Sequence, residues 1–316
     1  MASQGYNTTF VTEFHLLSLS DLPELQIFLF VIFLAIYMTN VLGNIAIMVI
    51  TSVDPHLHTP MYFFLRVLSF LDIFYSMVTV PKMFINFLAV NKGISYQGCI
   101  TQLFFFHFLG TTEASLLAVM GYDRYIAIYN PLRYTVIMNK RICMQLVATV
   151  FVIGCMHSLV HTVMMARVTF CGPNQVNHFF CDIAPLLKLA CSDTHINELL
   201  LFSVLGFIVL GCFILTLISY FLIMSAMVKM RSAEGRRKAF STCASHMTVV
   251  SLHYGCAGIM YLRPKSKYSL QQDRVIAVLY TAVTPMLNPL IYTLRNKQVK
   301  TALRQVICGK SNVTPE

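Results

Sequence analysis

Apolar residues in this chain gather into seven long runs separated by short polar stretches: near Leu25 to Ile50, Pro60 to Val80, Cys99 to Met120, Ile142 to Ala166, Leu199 to Val228, Ala239 to Leu262 and Val275 to Leu294. Each run is close to the ~20 residues a helix needs to cross a bilayer, and within hydrocarbon a helix satisfies its backbone polar groups inside its own segment. The pattern predicts an all-α membrane protein, a seven-transmembrane helix bundle forming one domain over residues 1–316. A shorter stretch, Asn296 to Ile307, sets Val299, Leu303, Val306 and Ile307 against Lys300 and Arg304. It predicts a short C-terminal interfacial helix with its apolar face in lipid and Cys308 as a palmitoylation candidate.

Composition removes the soluble alternative. With 57% hydrophobic and 11% charged residues and a mean hydropathy of +0.68, the chain has too little polar surface to cover a water-exposed globule. Seven spans leave the two ends on opposite sides of the membrane, and basic residues decide which side is cytoplasmic. Arg124, Arg133, Lys140 and Arg141 follow the third run, Lys229, Arg231, Arg236, Arg237 and Lys238 the fifth, and Arg295, Lys297, Lys300, Arg304 and Lys310 the seventh. Residues 1–24 carry Glu13, Asp21 and Glu24 with no Lys or Arg. The expectation is an extracellular N-terminus (1–24), a cytoplasmic tail (295–316) and a first span that serves as signal anchor, because the first 24 residues lack the basic start and apolar centre of a cleaved leader. Arg263, Lys265, Lys267 and Arg274 run against the rule; they read as a solvated outer loop or as a rim for a ligand or lipid headgroups. The net charge of +10 lies in short loops beside spans. Inner-leaflet lipids explain it better than nucleic acid, which is not an expected partner. Asn7-Thr8-Thr9 is a glycosylation sequon on the expected outer side, whereas that at Asn312 falls inside.

Ten cysteines are present. Cys99 opens the third run, and Cys171, Cys181 and Cys191 crowd into the outer segment between the fourth and fifth, where an oxidising exterior would pair them. A Cys99–Cys181 bridge would tie that loop to the third helix and a Cys171–Cys191 bridge would close the loop on itself; one sequence leaves the pairing open. His178-Phe179-Phe180-Cys181-Asp182 has the look of a metal site, but a sulfur held in a disulfide is lost as a ligand, so the structural reading is preferred. His157 and His161, four apart in the fourth run, read as packing residues without a visible third ligand.

Polar residues inside apolar runs are expensive and mark function. Asn44, Asp72, Glu113 and Asn288 fall at comparable depths. Two carboxyls in one dry cluster do not both stay charged unaided: one is protonated, or Asp72 and Glu113 share a small cation such as sodium as an allosteric ligand, or the cluster is simply hydrogen-bonded packing. No other cofactor is implied. At the inner end of the third run, Met120-Gly121-Tyr122-Asp123-Arg124-Tyr125 puts an acid beside a base at the membrane boundary, where an arginine must be paired, reach water or meet a partner. That choice makes a switch.

These residues carry a resemblance. Gly43-Asn44, the stretch Pro60-Met61-Tyr62-Phe63-Phe64-Leu65 with Leu68-Ser69 and Asp72, Met120 to Tyr134, Ser219-Tyr220, Lys238-Ala239-Phe240-Ser241-Thr242-Cys243-Ala244-Ser245-His246 and Pro285-Met286-Leu287-Asn288-Pro289-Leu290-Ile291-Tyr292 occur in one order, nearly end to end. The chain resembles odorant receptors of the tetrapod type, among the rhodopsin-like G-protein-coupled receptors. It departs from their pattern at Gly121, where alanine is usual, at Tyr129, where cysteine is usual, and at His253, which precedes Tyr254 where phenylalanine is expected. Coupling strength and basal activity are what these changes touch.

The resemblance implies a non-enzymatic receptor for small volatile ligands, placed in the plasma membrane of olfactory cilia and coupled to the stimulatory olfactory G protein that raises cyclic AMP. It implies a switch of Asp123, Arg124 and Tyr125 with Tyr220 and Tyr292, and a docking contribution from Lys238. It places a ligand cavity against His107, Gly110, Thr111 and Ala114 of the third helix, bounded by Val204, Leu205 and Ile208 of the fifth, Tyr254, Ala257, Gly258 and Tyr261 of the sixth, and Val278 and Thr281 of the seventh, under a lid with Phe180 and Ile183. Phe106 stands where amine receptors carry an aspartate, so a neutral ligand is expected. Rival readings are a receptor of the same fold for another small molecule and an ion-coupled transporter; the inverted repeats a transporter predicts are not evident. Ser245-His246 does not make an enzyme, because adjacent residues point to different helix faces.

Overall fold

Seven long helices, followed by a short one, account for most of the chain, and a computed structural model describes residues 11–19, 22–89, 92–171, 174–229, 232–261, 270–295 and 297–307. Helix α1 spans Pro23–Val53, α2 Pro60–Leu88, α3 Tyr96–Tyr129 and α4 Lys140–Ala166. Helix α5 covers His195–Val228 and α6 Ala233–Tyr261. Helix α7 runs as Leu270–Val278, a π-helical turn Leu279–Val283, and Thr284–Arg295; α8 is Lys297–Ile307. A second π-helical turn, Leu201–Leu205, sits inside α5.

The helices begin where local chemistry favours it. Pro23 and Pro60 stand in the first turn of α1 and α2, where a missing N–H costs nothing. Ser95 caps α3 by accepting from the Gly98 N–H, and Asn139 caps α4 by accepting from Ile142. Most helices outrun their apolar cores: α3 has 34 residues, about 51 Å at 1.5 Å per residue, so its ends stand clear of a ~30 Å hydrocarbon layer. Among the described residues six helices are long and apolar enough, by length and composition, to cross a membrane. The seventh rod of the bundle, α6, has 29 residues but carries Glu234, Arg236 and Arg237 early and the buried Ser245, His246 and His253 further along.

Burial assigns the helices their places. In its most apolar window α3 is 72% buried and α1 only 11%, so α3 is the hub and α1 a peripheral, lipid-facing rod. Helix α3 packs on α2, α4, α5 and α6; α1 packs on α2 and α7, and α6 on α5 and α7. The exposed Ile27, Phe28, Val31, Leu42 and Val49 of α1 are what a bilayer, rather than water, accommodates.

Two features differ from the sequence expectation. The protein is not purely helical: β1 (Glu13–Leu16) lies between β2 (Gly93–Ser95), antiparallel, and β3 (Gln175–Val176), parallel. Alternation inside so short a strand, with Phe14 and Leu16 buried and Glu13 and His15 less so, is too brief a signal to read beside twenty-residue runs. Helix α8 forms, but Val299 and Ala302 are buried against the bundle and Leu303 packs there too, while Tyr62 donates to Gln298. The apolar face expected in lipid is therefore partly spent on α1. The sequons at Asn7 and Asn312, the basic Arg263, Lys265 and Lys267, and Cys308 lie outside the described residues.

Candidate functional site

At the end of the bundle that carries the small sheet, two disulfides join Cys99 to Cys181 and Cys171 to Cys191. They anchor the segment between α4 and α5 over α3. Phe14, Leu16, Leu103, Met165, Val176, Ile183 and Leu186 form a second apolar core around Cys99 and Cys181, closed over by β1. Arg274 fastens this cap to α7 by donating to the Ser18 carbonyl and to Asn177 Oδ1. Burial pushes Asp182 upward, but the hydrogen bond from His107 and the neighbouring His178 bring it below the usual carboxylate range. Burial lowers His178 to about 4, so it is neutral in the cap at physiological pH.

Directly beneath lies a small cavity of about 20 Å³, lined by Tyr75, Phe106, His107, Gly110, Thr111, Ala114, Ile208, Val209, His253, Ala257 and Tyr280. The one-face spacing of the α3 residues brings His107, Gly110, Thr111 and Ala114 into it together. Ile208 and Ala257 join from α5 and α6. Phe180 touches it indirectly, its ring tilted against that of Phe106 at 4.6 Å between centroids. Ile183 is buried in the cap instead, Tyr254 donates to the Ala114 carbonyl at 2.7 Å, and Thr281 donates to Ala277 at 2.8 Å within its own helix. Neither Gly258 nor Val278 lines the cavity. The side chains of Val204, Leu205, Tyr261 and Lys238 lie outside the described residues. Tyr75, Val209, His253 and Tyr280 were not legible as cavity residues. Gly110 keeps a close approach here, since a Cβ at that position would sit 3.2 Å from the Tyr280 hydroxyl and would need the tyrosine to shift.

Around the cavity, polar side chains link helices. His107 Nε2 lies 3.2 Å from Asp182, Thr111 Oγ1 2.9 Å from His157 Nδ1, and the rings of His157 and His161 are 4.6 Å apart. Among the described residues no group of three His, Cys, Asp or Glu is arranged to hold a metal. The four polar residues expected as one cluster divide. Asn288 Nδ2 serves both oxygens of Asp72, at 2.9 and 3.1 Å. Asn44 donates to Asn40 Oδ1 and to the Pro285 carbonyl. Glu113 Oε1 faces His253 Nδ1 at 3.1 Å, with both side chains 2% exposed or less. Each carboxyl has a nitrogen partner of its own, and for Glu113 it is the histidine that replaces the expected phenylalanine.

At the opposite end Arg124 Nη2 meets Asp123 Oδ2 at 3.2 Å, and Tyr134 donates to the other Asp123 oxygen at 2.8 Å. Asp123 is buried and Arg124 is 12% exposed at its side chain, so the pair is largely withdrawn from water. Tyr220 of α5 and His246 of α6 approach at 2.6 Å, joined by Ile223, Met227 and Cys243 in a small core. Tyr292 is buried with no hydrogen-bond partner for its hydroxyl among the described residues, and Tyr125 stacks on Tyr129. The resemblance groups Asp123, Arg124, Tyr220 and Tyr292, but gives no sign of the contacts of Tyr134 with Asp123 and of His246 with Tyr220.

Comparison with known proteins agrees with this geometry. Residues 33–310 match the family model described as olfactory receptor. Human olfactory receptor 12D1 is 56% identical over 302 residues, covering 95% of this chain and 94% of that one; human olfactory receptor 5AP2 is 53% identical over 305 residues, covering 96% of each. The crystal structure of squid rhodopsin superimposes with a TM-score of 0.63 at 19% identity, over 91% of this chain and 87% of the other.

Proposed function

This chain belongs to the olfactory receptor family of rhodopsin-like G-protein-coupled receptors, and from that membership we propose how its buried polar groups convert odorant binding into a signal. It is a multi-pass membrane receptor, not an enzyme. In our reading the capped end faces outward, with residues 1–24 outside and 295–316 inside, and the ligand occupies the cavity between α3, α5, α6 and α7. The Asp123–Arg124 end opens inward to a stimulatory olfactory G protein that raises cyclic AMP, with Lys238 helping to dock it. Olfactory cilia are the expected location, and Asn7 the expected glycosylation site.

The observation that carries this reading is the pair of α3–α6 contacts at the cavity, His253 to Glu113 and Tyr254 to the Ala114 carbonyl. A ligand that enlarges the cavity must move α6 relative to α3, and α6 also carries His246 at the other end. A two-state bundle responds only to a ligand that binds one state better. The closed form has a cavity of about 20 Å³, near the space of a single water, whereas small-molecule sites are commonly ~300–1,000 Å³. The ligand therefore selects the open form by volume.

The lining is mostly apolar, so burial at about 25 cal/mol per Å² supplies most of the affinity, and one hydrogen bond from Thr111 or His107 adds roughly 0.5–1.5 kcal/mol. A cyclic AMP screen over acids, aldehydes, esters and terpenoids tests the assignment. For an agonist found this way, Thr111→Ala should raise the half-maximal concentration by about 2- to 12-fold, matching that hydrogen bond; an unchanged response places the ligand elsewhere.

His253→Phe should raise ligand-independent cyclic AMP and lower the receptor's melting temperature. It strips a buried carboxyl of its donor, at about 1–3 kcal/mol. His253→Gln, which keeps a donor, should restore most of both. Basal activity and melting temperature that stay at wild-type levels in His253→Phe would show that the contact does not hold the closed state. If sodium, not His253, neutralised Glu113, replacing sodium with choline in the assay would raise basal activity of the wild type as well.

A further inference from the structure

The inner cavity is closed over α3, α4 and α5 by a cap whose Phe180, Cys181 and Ile183 are each at most 1% exposed, yet a much larger space adjoins it on the membrane side. Helix α4 meets α5 chiefly at the first turns of α5, within His195–Leu205. Beyond that point the two helices diverge and leave a groove of about 570 Å³ that opens on the lipid-facing surface. Its floor is Ser115 and Ala118 of α3, small residues that give it depth; its rims carry Ile153, Leu215, Ile218 and Leu222, all exposed apolar side chains. Gly211 widens it further, since a Cβ there would meet nothing within 4 Å.

Groove and cavity share a wall. Ile208 lines both. Ser115 on the groove side donates to the carbonyl of Thr111 on the cavity side at 2.9 Å, and Cys212 Sγ lies 3.8 Å from Ser115 Oγ. One helical turn of α3 and one side chain of α5 are all that separate a ligand-sized space from a water-sized one.

We propose that this groove between α3, α4 and α5 is an outer binding site for small, neutral, mostly apolar molecules, from which the ligand passes beside Ile208 into the inner cavity. The reasoning is physical. Such molecules partition into hydrocarbon, so the bilayer concentrates them at a groove that opens on the lipid-facing surface. The π-helical turn Leu201–Leu205 breaks the regular ladder of α5 just before Ile208, where α5 must yield for passage. The role of the groove as an antechamber rests on the inner cavity being the signalling site; its capacity to bind does not.

The test uses purified full-length receptor in phosphatidylcholine nanodiscs with a diazirine derivative of citronellol, a neutral terpenoid alcohol. Irradiation followed by peptide mapping should place adducts on the groove segments of α4 and α5, and excess citronellol should remove them. Gly211→Phe, which fills open space rather than displacing a neighbour, should cut groove labelling at least about fivefold; Gly211→Ala should leave it unchanged. Adducts spread evenly over α1 and the other lipid-facing helices, or groove adducts that survive excess citronellol but vary with lipid acyl chain, would overturn the proposal and assign the groove to bulk lipid. For an agonist of the receptor, Gly211→Phe should slow the onset of the cyclic AMP response. If Thr111→Ala leaves that agonist untouched while groove labelling remains competitive, the inner cavity reading fails and the groove stands as the binding site.

Discussion

Arg124→Ala is expected to reduce the agonist-driven cyclic AMP response to background while surface expression stays near that of the parent receptor. Among the described residues the ion pair of Arg124 is with the acid one residue earlier in the same helix, so removing it breaks no described ion pair between helices. Asp123 keeps its bond from Tyr134. In the proposed mechanism the lost positive charge matters only in the open state, where it would leave Asp123 and become available to a partner protein. A receptor that expresses, binds and stays silent is the result this geometry requires. Asp123→Asn separates the two halves of the argument: it weakens the hold on Arg124 and should raise basal signalling, because breaking one partner of a buried pair costs more than the intact pair contributes. Undiminished signalling from Arg124→Ala, at matched surface levels, would remove the ionic switch from the mechanism.

Sequence alone carried the bundle because lipid imposes a coarse and redundant rule, twenty apolar residues per span. It carried the α3 face of the cavity for a similar reason: His107, Gly110, Thr111 and Ala114 repeat at helical spacing. It did not carry partners across helices. Whether Glu113 meets Asp72, a cation or His253 depends on the rotation of α6 against α3, which no periodicity encodes. Tyr75 and Tyr280 escaped for the same reason, and the cap escaped because strands of two to four residues give alternation no room to register. The resemblance supplied pocket residues such as Ile183 and Thr281 by position, yet in this closed arrangement one packs into the cap and the other bonds its own helix.

The helix rotations that the sequence left open are fixed partly by one close approach, and Gly154→Ala measures it. A Cβ at Gly154 would lie 2.1 Å from Thr112 Oγ1 and 2.8 Å from the Phe108 carbonyl oxygen. The threonine cannot simply turn away. It is β-branched, and its hydroxyl is committed to the same Phe108 carbonyl at 2.7 Å. The carbonyl is backbone, so relief demands that α4 retreat from α3, which would also stretch the 2.5 Å bond from Ser158 to the Phe104 carbonyl. Overpacking of this kind costs about 1–3 kcal/mol, a large fraction of marginal stability, and Gly154→Val should abolish surface expression altogether. Gly211→Ala is the internal control. The same chemical change at a position with nothing within 4 Å should be neutral or stabilise by about 0.5–1 kcal/mol, the helix preference of Ala over Gly. Opposite signs for one substitution at two helix glycines, read as melting temperatures of the purified receptor, would locate the constraint in the α3–α4 contact. Because His157 reaches Thr111 across that contact, whatever Gly154→Ala protein survives should also lose agonist potency, whereas equal melting shifts at the two sites would mean that α4 is free to back away and that the cavity does not depend on its seating.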